Sequence, residues 1–251
     1  MKTAIVIGAT SGIGREIAER LAGEGWKVGV TGRRAEELEA LRRQYGNEAV
    51  VPQVMDVTLP QATEQLQTLM EQLGDIDLFL YVSGVGYQNR KLDMEKEIRT
   101  VKTNCEGMVR LVGHFFNHVR ESRAYSPKRK AHIAVVTSVA GTAGLGTAPA
   151  YSATKKMQST YVSALAQLAA MERIPVIFTD IRPGFVSTEI LDSTKSYPLI
   201  MSREKAADCI MKGLSRKRRI VTFDWKFRVI VFLWRLIPRC IWERATFFTI
   251  S

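Results

Sequence analysis

Short runs of β-branched and aromatic residues alternate along this chain with stretches whose apolar positions recur every three to four residues. Ile5-Val6-Ile7 predicts a first strand, and Ile17, Ala18, Leu21 and Ala22 mark one face of a helix from Ile13 to Gly23. Trp26 to Thr31 predicts a second strand and Ala35 to Tyr45 a second helix. Ala49-Val50-Val51 begins a third strand, and Thr58 is expected to cap a helix ending near Leu73. Asp77 to Val82 predicts the fourth strand, followed by one long helix from about Asp93 to Ser122. Further on, strands are expected at 132–137, 176–181 and 220–222, with helices over 150–172 and 202–214 between them.

Alternation of this kind implies an α/β fold: a doubly wound, parallel sheet of about seven strands with helices on both faces. Crossovers are right-handed. At 251 residues one domain accounts for the chain. We divide it at residue 222, with a catalytic Rossmann-type unit over 1–222 and a distinct tail over 223–251.

The turn after the first strand reads Gly8-Ala9-Thr10-Ser11-Gly12-Ile13-Gly14. A pyrophosphate needs backbone N–H donors at a helix N-terminus with no side chain in the way. Gly8 permits the turn, Gly12 lets the backbone approach phosphate, and Gly14 lets the helix pack close to the sheet. Thr10, Ser11 and Ile13 are the remaining expected contacts of this turn. An acidic residue at the end of the second strand would favour NAD; Arg33 and Arg34 stand there instead, and a guanidinium can fork onto a 2′-phosphate. The cofactor expected is therefore NADP(H) rather than NAD(H), with Arg33 as the first contact and Arg34 as the second. Asp56 and Val57, just past the third strand, are expected at the adenine edge, with a cap or turn role for Asp56 as the alternative.

Tyr151 and Lys155 are four residues apart on a predicted helix, so they share a face. A free phenol titrates near ~10, and a neighbouring ammonium is expected to lower that value. Ser138 lies past the end of the fifth strand, where open α/β sheets place their ligands, and its hydroxyl can hold a carbonyl or alkoxide oxygen. The three together describe a device that moves a proton to or from an oxygen.

On the glycine turn and this Ser138, Tyr151, Lys155 set, the chain resembles the short-chain dehydrogenase/reductase family over nearly all of residues 1–222. The resemblance implies a catalytic role for Asn104, which in the family supports a water leading protons to the lysine. It implies cofactor contacts from Pro183-Gly184-Phe185-Val186-Ser187-Thr188, with Pro183, Gly184, Val186 and Thr188 at the nicotinamide, and from Gly84 near the adenine ribose. The family's usual Asn-Asn-Ala-Gly after the fourth strand is here Val82-Ser83-Gly84-Val85-Gly86, so its local bracing must differ. The implied reaction is hydride delivery to a carbonyl carbon with Tyr151 as general acid, Ser138 polarising the oxygen and Lys155 orienting the ribose. An alcohol dehydrogenase running toward oxidation is the alternative enzyme. A non-catalytic NADP-binding sensor or membrane-associated scaffold is the alternative class, which the intact set of four argues against.

The net charge of +11 invites an acidic partner. Part of it is the run Arg216-Lys217-Arg218-Arg219 before a tail that carries Trp225, Trp234 and Trp242. Residues 221–229 alternate as a strand does; Phe227 to Ile237 is almost wholly apolar, with Arg228, Arg235 and Arg239 in one helical stripe. The run is too short to span a bilayer, so residues 225–248 are expected to lie on a membrane surface, to pack on another subunit or to cover the substrate pocket. With Phe185, Ile190, Leu191, Tyr197, Leu199 and Ile200 after the Pro-Gly motif, the tail points to a hydrophobic ketone or alcohol, such as a long-chain keto lipid or steroid-like molecule. By family resemblance a homodimer or homotetramer is expected.

Cys105, Cys209 and Cys240 form no disulfide framework or metal spacing, and the opening segment lacks a signal-peptide pattern, so the expected location is cytoplasmic, and peripheral on the inner face of a membrane in the case that the tail meets lipid. His114 and His118 have zinc-pair spacing without a third ligand, so no metal is expected. Lys128-Arg129-Lys130 has no aromatic or recognition module beside it, and no nucleic acid is expected.

Overall fold

The computed structural model describes residues 1–189, 197, 199–223 and 225–245, and only the backbone of Trp225 and Lys226. Seven strands, β1 (Thr3–Ile7), β2 (Lys27–Gly32), β3 (Val50–Val54), β4 (Leu78–Tyr81), β5 (Ala131–Val136), β6 (Val176–Arg182) and β7 (Ile220–Thr222), form one sheet. All its pairings are parallel, in the order β3-β2-β1-β4-β5-β6-β7. Val6 is in register with Val30 of β2 on one side and Leu80 of β4 on the other. Strand order reverses at β1, so the chain leaves a crevice between the C-terminal ends of β1 and β4.

β1 and β5 are buried along their whole length, which is why they read as mostly apolar rather than alternating, with the one ring in β5, His132, bonded to the Thr179 hydroxyl at 2.7 Å. On one sheet face α1 (Gly12–Gly23), α2 (Ala35–Tyr45) and α7 (Arg203–Ser215) cover Val6, Val28, Leu80 and Ala134. On the other, α3 (Ala62–Leu73), α5 (Gly107–Glu121) and α6 (Pro149–Glu172) cover Ile5, Phe79 and Ile133, with Phe79 stacked on Phe115 at 4.7 Å between centroids.

Three local readings are corrected. The long helix over 93–122 is two helices, α4 (Met94–Val101) and α5, joined by a π-turn at Lys102–Glu106. Such a turn inserts a residue and re-aims the side chains in it; here it carries Asn104. Thr58 does not cap α3, which starts at Ala62; its N–H and hydroxyl are both held by Asp56 Oδ1, at 3.0 and 2.7 Å. The alternation over 221–229 yields strand only at β7. From Trp225 the chain is helix α8 (Trp225–Leu236), because Phe227 and Val231, one turn apart, both find cover against Val139 and Phe185. Pro238 ends this helix and starts the short α9 (Arg239–Trp242).

Helix α6 is positioned from its N-terminus. Pro149 takes its first position, and the Glu97 carboxylate, reaching over from α4, accepts the Ala150 N–H at 3.0 Å and an Asn89 amide N–H at 2.7 Å. That anchor fixes the start of the helix that carries Tyr151, the next residue, and Lys155, one turn beyond it.

Candidate active site

The turn after β1 is closed by backbone contact on both sides. Ile7 carbonyl accepts the N–H groups of Val82 and Ser83, each at 2.9 Å. A Cβ on Gly8 would stand 2.8 Å from Ser83 N, and one on Gly14 only 2.0 Å from the Gly8 carbonyl oxygen. Any side chain at Gly14 would therefore push α1 off the sheet. Gly12 enters the helix at φ +58°, and no side chain caps this N-terminus and no acid sits in its first turn. Its free N–H groups and positive dipole end favour an anion.

A cleft of about 450 Å³ runs from this turn along the β1/β4 crevice. It gathers Gly8, Thr10, Ser11, Gly12, Ile13, Arg33, Arg34, Asp56, Val57, Gly84, Tyr151, Lys155, Pro183, Gly184, Val186 and Thr188 on its walls. Gly14, Asn104 and Ser138 stand just behind those walls. Thr31, wholly buried and also lining the cleft, has a hydroxyl oxygen with no partner among the described residues. An unsatisfied hydroxyl, an uncapped helix end and a glycine-lined turn together fit a polar, phosphate-bearing ligand.

The two arginines are used differently. Arg34 reaches back over the turn to Thr10 Oγ1 at 3.1 Å and to Glu189 at 3.4 Å. Arg33 is exposed and makes no hydrogen bond among the described residues, so its guanidinium is the freer of the two. Burial works to raise the Asp56 carboxyl, but the two bonds from Thr58, with Arg33 and Arg99 nearby, bring it below the ordinary range.

At the other end of the cleft the Tyr151 ring lies flat against the chain after β4: a Cβ on Gly86 would come within 2.6 Å of it. Ser138 sits at the end of β5, where its hydroxyl caps a short 3-10 turn, accepting the Ala140 N–H at 3.1 Å and donating to the Pro183 carbonyl at 3.5 Å, near enough to Tyr151 to act on its pKa. Lys155 Nζ is 5.7 Å from the Tyr151 ring centroid and donates to the Val136 carbonyl at 3.1 Å and to Gln158 Oε1 at 3.0 Å. Burial raises the Tyr151 pKa, against the Ser138 bond that lowers it. The expectation that Lys155 holds the phenol down is thus not met, because the ammonium is turned toward the interior acceptors. Lys155 itself is lowered by burial to about 8, with Cys105 and Asp180 pulling it back up.

Asn104 is fully buried and ties three segments together. Its side chain accepts the Val85 N–H at 2.9 Å and donates to the Val85 carbonyl at 2.8 Å and to Thr154 Oγ1 at 3.0 Å. This bond pair braces the unusual Gly84-Val85-Gly86 stretch. Sequence reading missed Gln158, whose Nε2 donates to the Asn104 carbonyl at 2.7 Å. The available signal was its spacing: Tyr151, Lys155 and Gln158 fall at i, i+4 and i+7 on one helical stripe. Glu97, the anchor of α6, had no sequence signal at all. His114 bonds Gln67 at 3.0 Å, and His118 packs against Phe115 and Tyr125.

The family model described as short chain dehydrogenase matches residues 2–198. This chain belongs to that family. An uncharacterized oxidoreductase of Myxococcus xanthus is 32% identical over 251 aligned residues, covering 97% of this chain and 96% of its own. A fatty acyl-CoA reductase of Acinetobacter baylyi is 29% identical, covering 88% of this chain and 76% of its own. Among solved structures, a short-chain dehydrogenase from Sphingobium yanoikuyae in complex with NADPH superposes with a TM-score of 0.76 at 20% identity, covering 95% of this chain and 97% of that one. The chain is a short-chain oxidoreductase acting at the CH–OH/C=O level on a small molecule, with a nicotinamide cofactor.

The Tyr151–Gly86 contact gives a direct test. Gly86→Ala should displace the phenol and lower kcat by about 10- to 100-fold, while NADPH affinity, measured by fluorescence, changes less than threefold or so. Unchanged turnover would mean that the ring position does not matter.

Proposed function

We propose that this short-chain dehydrogenase is an NADPH-dependent carbonyl reductase for a hydrophobic ketone, of the long-chain keto-lipid or steroid-like kind. The reading rests on one observation above others: Tyr151 and Lys155, with Ser138 just behind them, stand at one end of a cleft whose other end is an uncapped helix N-terminus. When bound, the nicotinamide supplies the hydride. Tyr151 donates its phenolic proton to the substrate oxygen; burial keeps that phenol protonated at neutral pH, as a general acid in the reductive direction requires. Ser138 directs its hydroxyl at the same oxygen. Lys155, lowered to about 8, is poised to exchange a proton near neutrality and to hold ribose hydroxyls. Asn104 positions the loop and the helix that frame them.

Gly12 and its neighbours would hold the pyrophosphate, Val186 and Thr188 the carboxamide side, and Asp56 and Val57 the adenine edge. NADPH is favoured over NADH because Arg33 is exposed and makes no hydrogen bond among the described residues at the end of β2, where a 2′-phosphate would stand.

Hydrophobic substrates are supported by the apolar cluster of Val139, Phe227 and Val231, with Phe185 and Ile230, beside Pro183-Gly184. Phe185 also meets Tyr197, at 5.1 Å between ring centroids. The Acinetobacter relative's acyl-CoA substrate is in keeping with this. Ile190 and Leu191 lie outside the described residues.

The tail is read as a contact with an anionic membrane surface. Helix α8 is apolar on two sides: Phe227 and Val231 face the protein, while Val229, Phe232, Leu233 and Leu236, at i, i+3, i+4 and i+7, are exposed beside Arg228 and Arg235. Among the described residues no helix is long and apolar enough to cross a membrane; residues 246–248 of the expected contact lie outside them. A homodimer or homotetramer is supported by a second exposed stripe, Met94, Ile98 and Val101 on α4. The proposed location is the cytoplasm, at the inner face of a membrane.

Three measurements follow from this reading. In an NADPH-oxidation screen over ketones of graded chain length, kcat/KM should rise with apolar length, and Tyr151→Phe should lower kcat by roughly 10²- to 10⁴-fold while NADPH still binds. Faster reduction of small polar ketones would contradict the substrate class, and an active Phe variant the chemistry. Arg33→Ala should raise KM for NADPH about tenfold or more and leave KM for NADH in place; equal effects on both would remove the 2′-phosphate contact. The protein should co-sediment with phosphatidylglycerol-containing vesicles and lose this in Phe232→Ser/Leu233→Ser; binding that persists in the double variant would rule out α8 as the contact.

A further inference from the structure

Gln158 lies behind the reacting groups, 0% exposed and with both ends of its amide engaged. One end meets the Asn104 backbone carbonyl at 2.7 Å. A carbonyl can only accept, so Nε2 must stand there as donor, and Oε1 is forced toward Lys155 Nζ, 3.0 Å away. The orientation of this amide is therefore fixed by its partner on the π-turn. The second interior acceptor of Lys155 is the Val136 carbonyl at the end of β5, 3.1 Å away.

A lysine side-chain nitrogen has three N–H donors when charged, and two with one lone pair when neutral. Two interior acceptors engage two N–H groups in either state. The third position, an N–H or a lone pair according to protonation, is left for the cleft that Lys155 lines. That side is open because Gly84 has no side chain: a Cβ there would lie 3.4 Å from Lys155 Nζ.

We propose that Gln158 is a positioning residue that clamps Lys155 to the Asn104 backbone, so that the only titrating position of the amine faces the cleft. The proposal rests on the reading of Lys155 as part of the proton-transfer machinery. It links the π-turn to the chemistry through a protein amide rather than through the Asn104 side chain, which is spent on Val85 and Thr154. The charged and titratable groups facing Lys155 are Tyr151 on its own helix, Cys105 on the π-turn and Asp180 on β6. Asp180 is itself committed to Arg182 at 2.6 Å and to the Thr137 hydroxyl at 2.6 Å. Gln158 is thus the neutral side chain bonded to Lys155, and giving it a charge should act on Lys155 first.

The test compares Gln158→Glu with Gln158→Met. The glutamate places a carboxylate against Lys155 and favours its charged form; the methionine removes an acceptor and disfavours it. In lysine-selective ¹³C/¹⁵N NMR of the full, ligand-free chain, with Lys155 assigned through Lys155→Met, the Lys155 titration should move up in the first variant and down in the second. Each shift should be at least about half a pH unit. The matching limb of the kcat profile should move in the same two directions, and kcat in the methionine variant should fall about tenfold. A merely structural glutamine would alter melting temperature in both variants without opposite titration shifts. Identical Lys155 titrations in folded wild type and variants would overturn the clamp. Absence of carbonyl reduction by the wild type would instead overturn the reaction reading, since the NMR titration needs no turnover.

Discussion

The site depends on one buried side chain, Asn104. Its amide pairs with both backbone groups of Val85 and with the Thr154 hydroxyl, and its own backbone carbonyl receives Gln158. Three segments distant in sequence are thereby held in one frame: the chain after β4, the π-turn and α6. Polar groups this deep are costly unless all are satisfied, and here each has a geometric partner. The frame forces the glycine-rich stretch against the Tyr151 ring and leaves no freedom for the lysine one turn further on. The π-turn makes this possible, because a continuous α-helix over 94–121 would direct the side chain of residue 104 differently.

Within that frame, burial and charge pull in opposite directions. The cleft end around Tyr151 and Lys155 is poor in water, so each group is driven toward its neutral form: the phenol upward, the ammonium downward to about 8. A phenol kept protonated beside an ammonium that is still mostly charged at neutral pH, yet easily discharged, suits the proposed hand-over of one proton to an oxygen and its recovery. The opposite end is built from unspent backbone N–H groups and an exposed guanidinium, so charge is favoured there. One crevice therefore offers an anion site at the β1–α1 turn and a proton site about α6, as the reversal of strand order at β1 requires.

Much of this was legible in the chain because the parallel sheet is covered on both faces. Its strands must be apolar runs and its helices must keep a 3.6-residue stripe, so Val6, Val28, Phe79 and Ile133 announce themselves. The glycine turn and the Tyr151, Lys155 spacing were legible for a similar reason: few residue types satisfy those steric and electrostatic demands. The π-turn was not legible, since α4 buries only Thr100 and so has no apolar inner stripe whose phase could be compared with that of α5. The start of α8 was misread because Val221, Phe223 and Phe227 also fit a period of two, and only tertiary cover at Val139 and Phe185 decides between them. Glu97 and Gln158 escaped because polar residues that act through a partner distant in sequence show no local pattern; Thr58 was assigned to a helix that begins four residues later.

On the proposed function, the β1–α1 turn and the Tyr151, Lys155 pair serve one ligand lying along the crevice. A crystal structure of the full chain with NADPH tests it most directly. Phosphates are expected at the N-terminus of α1 and the nicotinamide end beside Tyr151 and Lys155, with the Tyr151 hydroxyl facing the ring. A cofactor seated elsewhere, or a Tyr151 hydroxyl turned away from the nicotinamide, would contradict it.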